Sequence, residues 1–223
     1  MQREFPKTHT PWREVPHATL RWVLAVLLAA VFLVLAICQE TELPQQIDDQ
    51  VRLWAYSIRT PATNRLFLLL THLAGTTFIV GVIAVLLIIP ATRKRVGIPQ
   101  ACYQAVFFLV YRGLKSAFAR PRPDSAMWLV QEHGWSFPSG HSMNGMVFYG
   151  LLAFLAVRNM KDVGGRRWLA AGLLCLPFLI AFIRVYLGVH YLTDVLGGLA
   201  AGGCEVLIAG LFMDYFHSEM ARS

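Results

Sequence analysis

The residues best equipped for chemistry lie in one stretch of eleven, Arg184-Val-Tyr-Leu-Gly-Val-His190-Tyr-Leu-Thr-Asp194. A guanidinium, an imidazole and a carboxylate stand there between two long apolar runs, where ionisable groups are costly unless they pair or line a site. His190 and Asp194 are four apart, so on a helix they share a face and the carboxylate reaches the ring. A carboxylate on one ring nitrogen fixes the tautomer and makes the other nitrogen a better base or nucleophile. Arg184 is six residues before His190, roughly 240° round an ideal helix, so one straight helix points the two apart. Gly188 is read as the break: Arg184 ends one helix, His190 begins the next, and both face one mouth. Taken alone, the stretch is equally a capped helix hairpin in which His and Asp satisfy each other.

Two further clusters decide between these readings. Lys115 is followed after six residues by Arg122-Pro123, and Phe137-Pro138-Ser139-Gly140-His141 opens the next apolar run. Together the clusters supply three cations (Lys115, Arg122, Arg184), a hydroxyl, two imidazoles and one carboxylate. Ser139 and Gly140 fall at a helix start, where unpaired amides and the helix dipole favour an anion and glycine admits it to the backbone. That inventory suits a phosphoryl group. Arginine forks match phosphate oxygens bidentately, and such donors stabilise the charge that spreads over the equatorial oxygens during transfer. Asp124, Glu132 and Asp194 are too few acids for a carboxylate metal cage beside three basic side chains, and two histidines with one engaged aspartate are too few for zinc. No metal and no cofactor are expected.

The elements that carry these clusters are membrane spans. The 223-residue chain is 56% hydrophobic and only 15% charged, beyond what a soluble core needs. Six apolar segments are expected, at about 22–38, 66–90, 100–119, 139–157, 168–186 and 190–213. This makes an all-α polytopic bundle in a single domain, with a leader at 1–21 and a tail at 214–223. The first span is read as retained, because Ala36-Ile37-Cys38 lacks the small residue wanted before a cleavage site. The third is the most polar, with Gln104, Arg112 and Lys115, as a span facing the bundle interior allows. Residues 47–58 have helical apolar spacing and read either as an interfacial amphipathic helix with Trp54 at headgroup level or as a loop.

Six spans put both termini on one side. Most Lys and Arg then lie there, in the leader, the 91–99 loop and the 158–167 loop, which places that side in the cytoplasm and all three polar clusters on the outer face. The excess of 20 Lys/Arg over 13 Asp/Glu is thus a topology signal and not one for nucleic acid. Cys38, Cys102, Cys175 and Cys204 read as small core hydrophobes. His72 reads as a packed core residue, and Glu205, fifteen residues past His190, as a structural partner near the inner face. Tyr186 and Tyr191 read as packing, and Trp128, His133 and Trp135 as solvated loop.

Lys115 through Pro123, Pro138-Ser139-Gly140-His141, and Arg184 with His190 and Asp194 resemble, in order and spacing, the three signature motifs of the type 2 phosphatidic acid phosphatase superfamily, which also includes vanadium haloperoxidases. The resemblance runs from about residue 47 to residue 210. One departure is visible: the third motif commonly reads Ser-Arg, and Ile183 stands at the Ser position. The resemblance implies His190 as nucleophile forming a phosphohistidine, Asp194 orienting it, and His141 protonating the leaving group and then activating water. It implies Lys115, Arg122, Ser139, the Gly140 amide and Arg184 as phosphate ligands. The expected substrate is a lipid phosphate or diphosphate presented from the bilayer: phosphatidic acid, phosphatidylglycerophosphate or undecaprenyl diphosphate, the last two favoured by a short chain without added domains, as in a bacterial plasma membrane. The same motifs serve a lipid-to-lipid phosphotransferase. A lipid-binding or transport protein that keeps the pocket without turnover needs only the cations. The sequence names no oligomeric state.

Overall fold

The computed structural model describes residues 17–220, so the leader's Arg3, Lys7 and Arg13 and the last three residues of the tail lie outside the described residues. All regular structure among them is helical: α1 (Ala18–Cys38), α2 (Glu42–Ser57), α3 (Pro61–Leu70), α4 (Thr76–Ile88), the single turn α5 (Pro90–Thr92), α6 (Ile98–Phe118), α7 (Gly140–Asn159), α8 (Val163–Tyr186) and α9 (Leu192–Met220). Four of these, α1, α7, α8 and α9, are long and apolar enough to cross a membrane, and the bent pair α3–α4 makes a fifth if counted as one span.

The apolar run expected as the second span is broken, not straight. A 3₁₀ turn at Thr71–Ala74 bends it by 49°. Carbonyls freed at such a break need donors where no water reaches them. Asn144 Nδ2 donates to Ala74 O at 3.0 Å, and the Tyr149 hydroxyl to Leu73 O at 2.8 Å, both from α7. His72 sits in this turn and is exposed, contrary to the packed position expected, because the break carries it off the helix face. The next connection, expected as a basic loop, is helical: a wide π-type turn at Arg93–Gly97 leads straight into α6.

On α6 the usual pattern is reversed. Gln100, Gln104, Phe107 and Lys115 are buried, while Val106, Leu109 and Val110 are exposed. Gln104 donates to Asn144 Oδ1 at 2.6 Å and Gln100 to Phe148 O at 3.3 Å, so the polar face is spent on α7. A helix with its polar face inward and apolar face outward suits a lipid surround.

The centre is α7, against which α8 and α9 pack most extensively. Gly198 and Gly202 allow α9 to approach it backbone to backbone. A Cβ at Gly198 would lie 2.7 Å from Ser139 O, and one at Gly202 2.8 Å from Met143 O. This small-residue contact brings the start of α9 beside the start of α7, with Ser139 N–H donating to Asp194 O at 2.9 Å. At the far end Asp214 is clasped by Arg21 and Arg158, each at 2.5 Å, so α1 begins where α7 and α9 end. The polar clusters all gather at the other end. α2 is a helix, which settles the open reading of that segment. It rests on α8 and α9 through Ala55 and Asp48, both buried, and leaves Ile47, Leu53 and Trp54 exposed.

Candidate active site

The break between α8 and α9 forms as the glycine suggests. α8 ends at Tyr186, Gly188 has φ +80°, and α9 starts at Leu192, leaving His190 in the turn. A side chain at Gly188 would meet Met127 O at 2.4 Å as well as the unfavourable backbone angle. Arg59, between α2 and α3, locks the turn by donating through Nε to Tyr186 O at 2.9 Å and through Nη1 to Met127 O at 2.8 Å.

His190 is 1% exposed and Asp194 0%. His190 Nδ1 lies 3.3 Å from Asp194 Oδ2 and 3.3 Å from Ser136 Oγ, and the Ser136 hydroxyl itself donates to Oδ2. Tyr191 N–H donates to the same oxygen at 2.9 Å. An acceptor on that side puts the ring proton on Nδ1 and leaves Nε2 with its lone pair. Nε2 faces Arg122 Nη1 at 3.1 Å, a donor with no acceptor capacity, which supports the same tautomer. Burial first, and then the charges of Arg122 and Arg184, hold the His190 imidazolium well below the usual histidine range. The ring is neutral, oriented, and carries a free nitrogen in a positive field.

The cations are fixed by the 119–139 loop. Arg122 donates through Nε to Gly134 O at 3.0 Å, through Nη2 to His133 O at 3.1 Å and through Nη1 to Val189 O at 2.9 Å. Arg184, 1% exposed, donates to Thr71 Oγ1 at 3.1 Å and pairs with Glu132, whose other oxygen lies 3.5 Å from Arg122. The two arginines therefore already hold one anionic group between them. Arg184 Nε is buried with no hydrogen-bond partner among the described residues, a donor that an incoming anion would satisfy. Lys115 Nζ donates to the carbonyls of Trp135 and Ser136, so it braces the loop in this state.

Ser139 is fully buried and its hydroxyl accepts from Ser142 Oγ at 3.0 Å. Gly140 begins α7 beneath the Tyr111 hydroxyl, which a Cβ there would meet at 2.5 Å. The ring of His141 makes no hydrogen bond to the described residues and lies near Arg184, His190, Arg122 and His72. The eight residues expected from the sequence thus gather at one end of α6, α7, α8 and α9. Tyr191 does more than pack, since the Arg120 guanidinium lies 4.2 Å above its ring. Tyr186 also bonds, to Asn64 Oδ1 at 2.7 Å and Thr63 Oγ1 at 2.6 Å. Trp128 is partly buried and donates to Pro123 O at 3.1 Å, where a solvated loop was expected. Glu205 has no partner for either carboxylate oxygen, so the structural pairing expected of it is absent among the described residues.

Four contributors were not singled out by sequence reasoning: Arg120, Ser136, Asp48 and, as a partner of the arginines, Glu132. Arg120 lies inside the first motif, in Arg120-Pro-Arg122-Pro, and that doubled pattern was the available signal. Ser136, the residue immediately before the cis Phe137–Pro138 bond, carried none.

The chain is similar to known phosphatases over most of its length. The chain is 33% identical to phosphatidylglycerophosphatase B of Bacillus subtilis over 176 residues, 77% of this chain and 85% of that protein. A segment of 71 residues, 31% of each chain, is 45% identical to a putative undecaprenyl-diphosphatase of Escherichia coli. A crystal structure of a transmembrane PAP2-type phosphatidylglycerolphosphate phosphatase from Bacillus subtilis superposes with a TM-score of 0.76 at 30% identity, covering 88% of this chain and 96% of that one. The sequence profile of the PAP2 superfamily matches residues 65–218, and the chain belongs to that family: it is a membrane phosphatase.

Proposed function

We propose that this chain is an integral-membrane lipid phosphatase that removes the terminal phosphate of a lipid phosphate or diphosphate through a phosphohistidine on His190. The supporting observation is the His190 ring, with Nδ1 3.3 Å from Asp194 Oδ2 and Nε2 3.1 Å from the Arg122 guanidinium, surroundings that favour a proton on Nδ1 and a lone pair on Nε2. In this reading Arg122 and Arg184 exchange Glu132 for the phosphoryl oxygens, and Arg184 Nε gains an acceptor. Nε2 attacks phosphorus, and the P–O bond to the lipid breaks as His141 gives its proton to the departing oxygen. His141 then takes a proton from water, which attacks the phosphohistidine and releases inorganic phosphate. The first amides of α7, at Gly140 and His141, add donors at the dipole's positive end. Lys115 turns from the loop carbonyls toward the phosphate.

The chain crosses the membrane six times in this reading. The polar inward face of α6 lowers its apolar content below that of the other long helices, and α6 is the crossing that completes the six. The basic connections at 91–99 and 158–167 are cytoplasmic, which sets the site at the outer face of the plasma membrane. The favoured substrates are phosphatidylglycerophosphate and undecaprenyl diphosphate, each with a terminal phosphate on an anionic head, and these are also the substrates named for the two bacterial relatives. The test is inorganic phosphate release by purified protein from phosphatidylglycerophosphate, undecaprenyl diphosphate and phosphatidic acid in detergent with a chelator present. Release with chelator supports a metal-free hydrolase. No release from any of the three, or release only after a divalent ion is restored, overturns the reading.

A further inference from the structure

Behind His190, away from the phosphate side, lies a second charged array. Arg120 is 5% exposed and its guanidinium bridges two buried carboxylates. Nη1 donates to Asp194 Oδ1 at 2.7 Å and to Thr193 Oγ1 at 2.7 Å; Nη2 donates to Asp48 Oδ2 at 2.9 Å and to Gln39 O at 3.3 Å. Asp48, 1% exposed on α2, also accepts from Thr193 N–H at 2.9 Å and from its hydroxyl at 2.6 Å. Asp194 is left with one oxygen for Arg120 and one for His190, Ser136 and Tyr191 N–H.

Two buried carboxylates on one guanidinium is more than structural economy asks. Such pairs rarely stabilise a fold beyond an apolar replacement, so their use points to positioning or charge control. Without Arg120, Asp194 would keep Ser136 and Tyr191 N–H on Oδ2 but carry a full charge and an unpartnered Oδ1. The Arg120 contact fixes which oxygen meets Nδ1, and it places a cation behind the carboxylate. Asp48 offsets that cation in turn. The chain of contacts runs from α2, through Arg120, to Asp194 and His190.

We propose that Arg120 is the positioning residue for Asp194, and that Asp48 on α2 holds and partly neutralises Arg120, so that α2 sets the charge behind the nucleophile. The inference rests on the reading of His190 as the nucleophile. It gives α2 a task beyond covering apolar surface: displacing it breaks two hydrogen bonds to Thr193 and one to Arg120.

The groups that face His190 and its surroundings are Lys115 and Tyr111 from α6, Arg122 and Glu132 from the loop, His141 from α7, Arg184 from α8 and Asp194 from α9, with His72 beyond His141. All remain when Arg120 or Asp48 is changed, so the two substitutions isolate this array. Arg120→Gln removes a positive charge and lets the imidazole take a proton more readily. Asp48→Asn removes a negative charge, leaves Arg120 less compensated, and makes the imidazole harder to protonate. The acid limb of kcat/KM for nitrophenyl phosphate should therefore move up by about one pH unit in Arg120→Gln and down in Asp48→Asn, on the scale for a charge a few ångströms away. Arg120→Lys keeps the charge but, with three donors on one nitrogen, cannot make the four hydrogen bonds of the planar guanidinium, so its limb should stay while kcat falls about 10- to 100-fold, the scale for a lost orienting partner.

General damage to the fold predicts no such opposition of sign. Limbs that do not move, or that move the same way in Arg120→Gln and Asp48→Asn, overturn the proposal. Should Arg120→Gln fail to fold, Asp48→Asn and Arg120→Lys carry the test, and a limb that rises or stays in Asp48→Asn overturns it. Failure of the underlying reading is distinguishable, since the unmodified protein would then show no turnover or, with turnover, no phosphoryl label on His190.

Discussion

The sharpest single perturbation is Asp194→Asn, because every donor around that carboxylate has a known place. Oδ1 receives Arg120 at 2.7 Å, and Oδ2 receives Tyr191 N–H at 2.9 Å as well as Ser136 and His190. An amide has one acceptor and one donor end, so it can satisfy only one side. With its oxygen toward Arg120, the NH₂ opposes Tyr191 N–H and donates to His190 Nδ1. That moves the ring proton to Nε2, where it faces Arg122 and blocks attack. With its oxygen toward His190, the NH₂ confronts the guanidinium. Each arrangement sets one donor against a cation, Nε2–H against Arg122 or the NH₂ against Arg120, and the first yields the wrong tautomer. Its cost is of the kind seen for the same substitution in serine-protease triads, about 10⁴-fold in kcat, or about 5.4 kcal/mol. Folding should suffer less than for most broken buried pairs, which cost about 3–5 kcal/mol, because Arg120 keeps Asp48. The assay is turnover of nitrophenyl phosphate, with thermal unfolding in the same detergent as control. A folded Asp194→Asn protein within about tenfold of normal turnover would show that the carboxylate does not set the tautomer.

Three other expectations follow from the same geometry. Arg122→Ala and Arg184→Ala should each lower kcat by about 10²- to 10³-fold, the scale for a lost transition-state donor, and near-normal kcat in either folded variant would remove that arginine from the site. Burial and the neighbouring arginines depress the His190 pKa, so the neutral, nucleophilic form persists as pH falls; the enzyme's acid limb of kcat/KM should lie below about 6.5. Measuring it with two esters of different phosphate ionisation separates the substrate's own titration, and a limb above that value would contradict a depressed histidine. In a background without the four native cysteines, Ser125→Cys should react with an impermeant maleimide from outside intact cells and Lys161→Cys should not; the reverse would place the site on the cytoplasmic face.

Much of the site was legible because its chemistry is local in sequence. His190 and Asp194 declare their pairing by a spacing of four, and Gly188 declares the turn by being the one residue there that tolerates φ +80°. What stayed hidden depends on contacts across the fold. Asp48 stands in a polar, acidic stretch with no pattern that marks it out, and only the docking of α2 on α8 and α9 buries it against Arg120, 72 residues later. Glu132 looked like loop charge until the loop folded back over Arg184. The bend at Thr71–Gly75 is invisible in an apolar run, because its cause, the donors Asn144 and Tyr149, lies on another helix. The polar residues of α6, out of place in an apolar segment, make sense only in the fold, where Gln100 and Gln104 turn toward α7.

The account stands on His190 carrying the phosphoryl group, and rapid acid-free quenching of the enzyme with ³²P-labelled phosphate ester tests that most directly. Label should appear on His190 within one turnover, in an acid-labile, base-stable linkage. In His141→Ala it should accumulate, because nitrophenolate leaves without a proton while the phosphohistidine still waits for an activated water. In His190→Ala no label should appear. Turnover by His190→Ala at a normal rate, or labelling of that folded variant equal to that of the unmodified protein, would contradict the central claim.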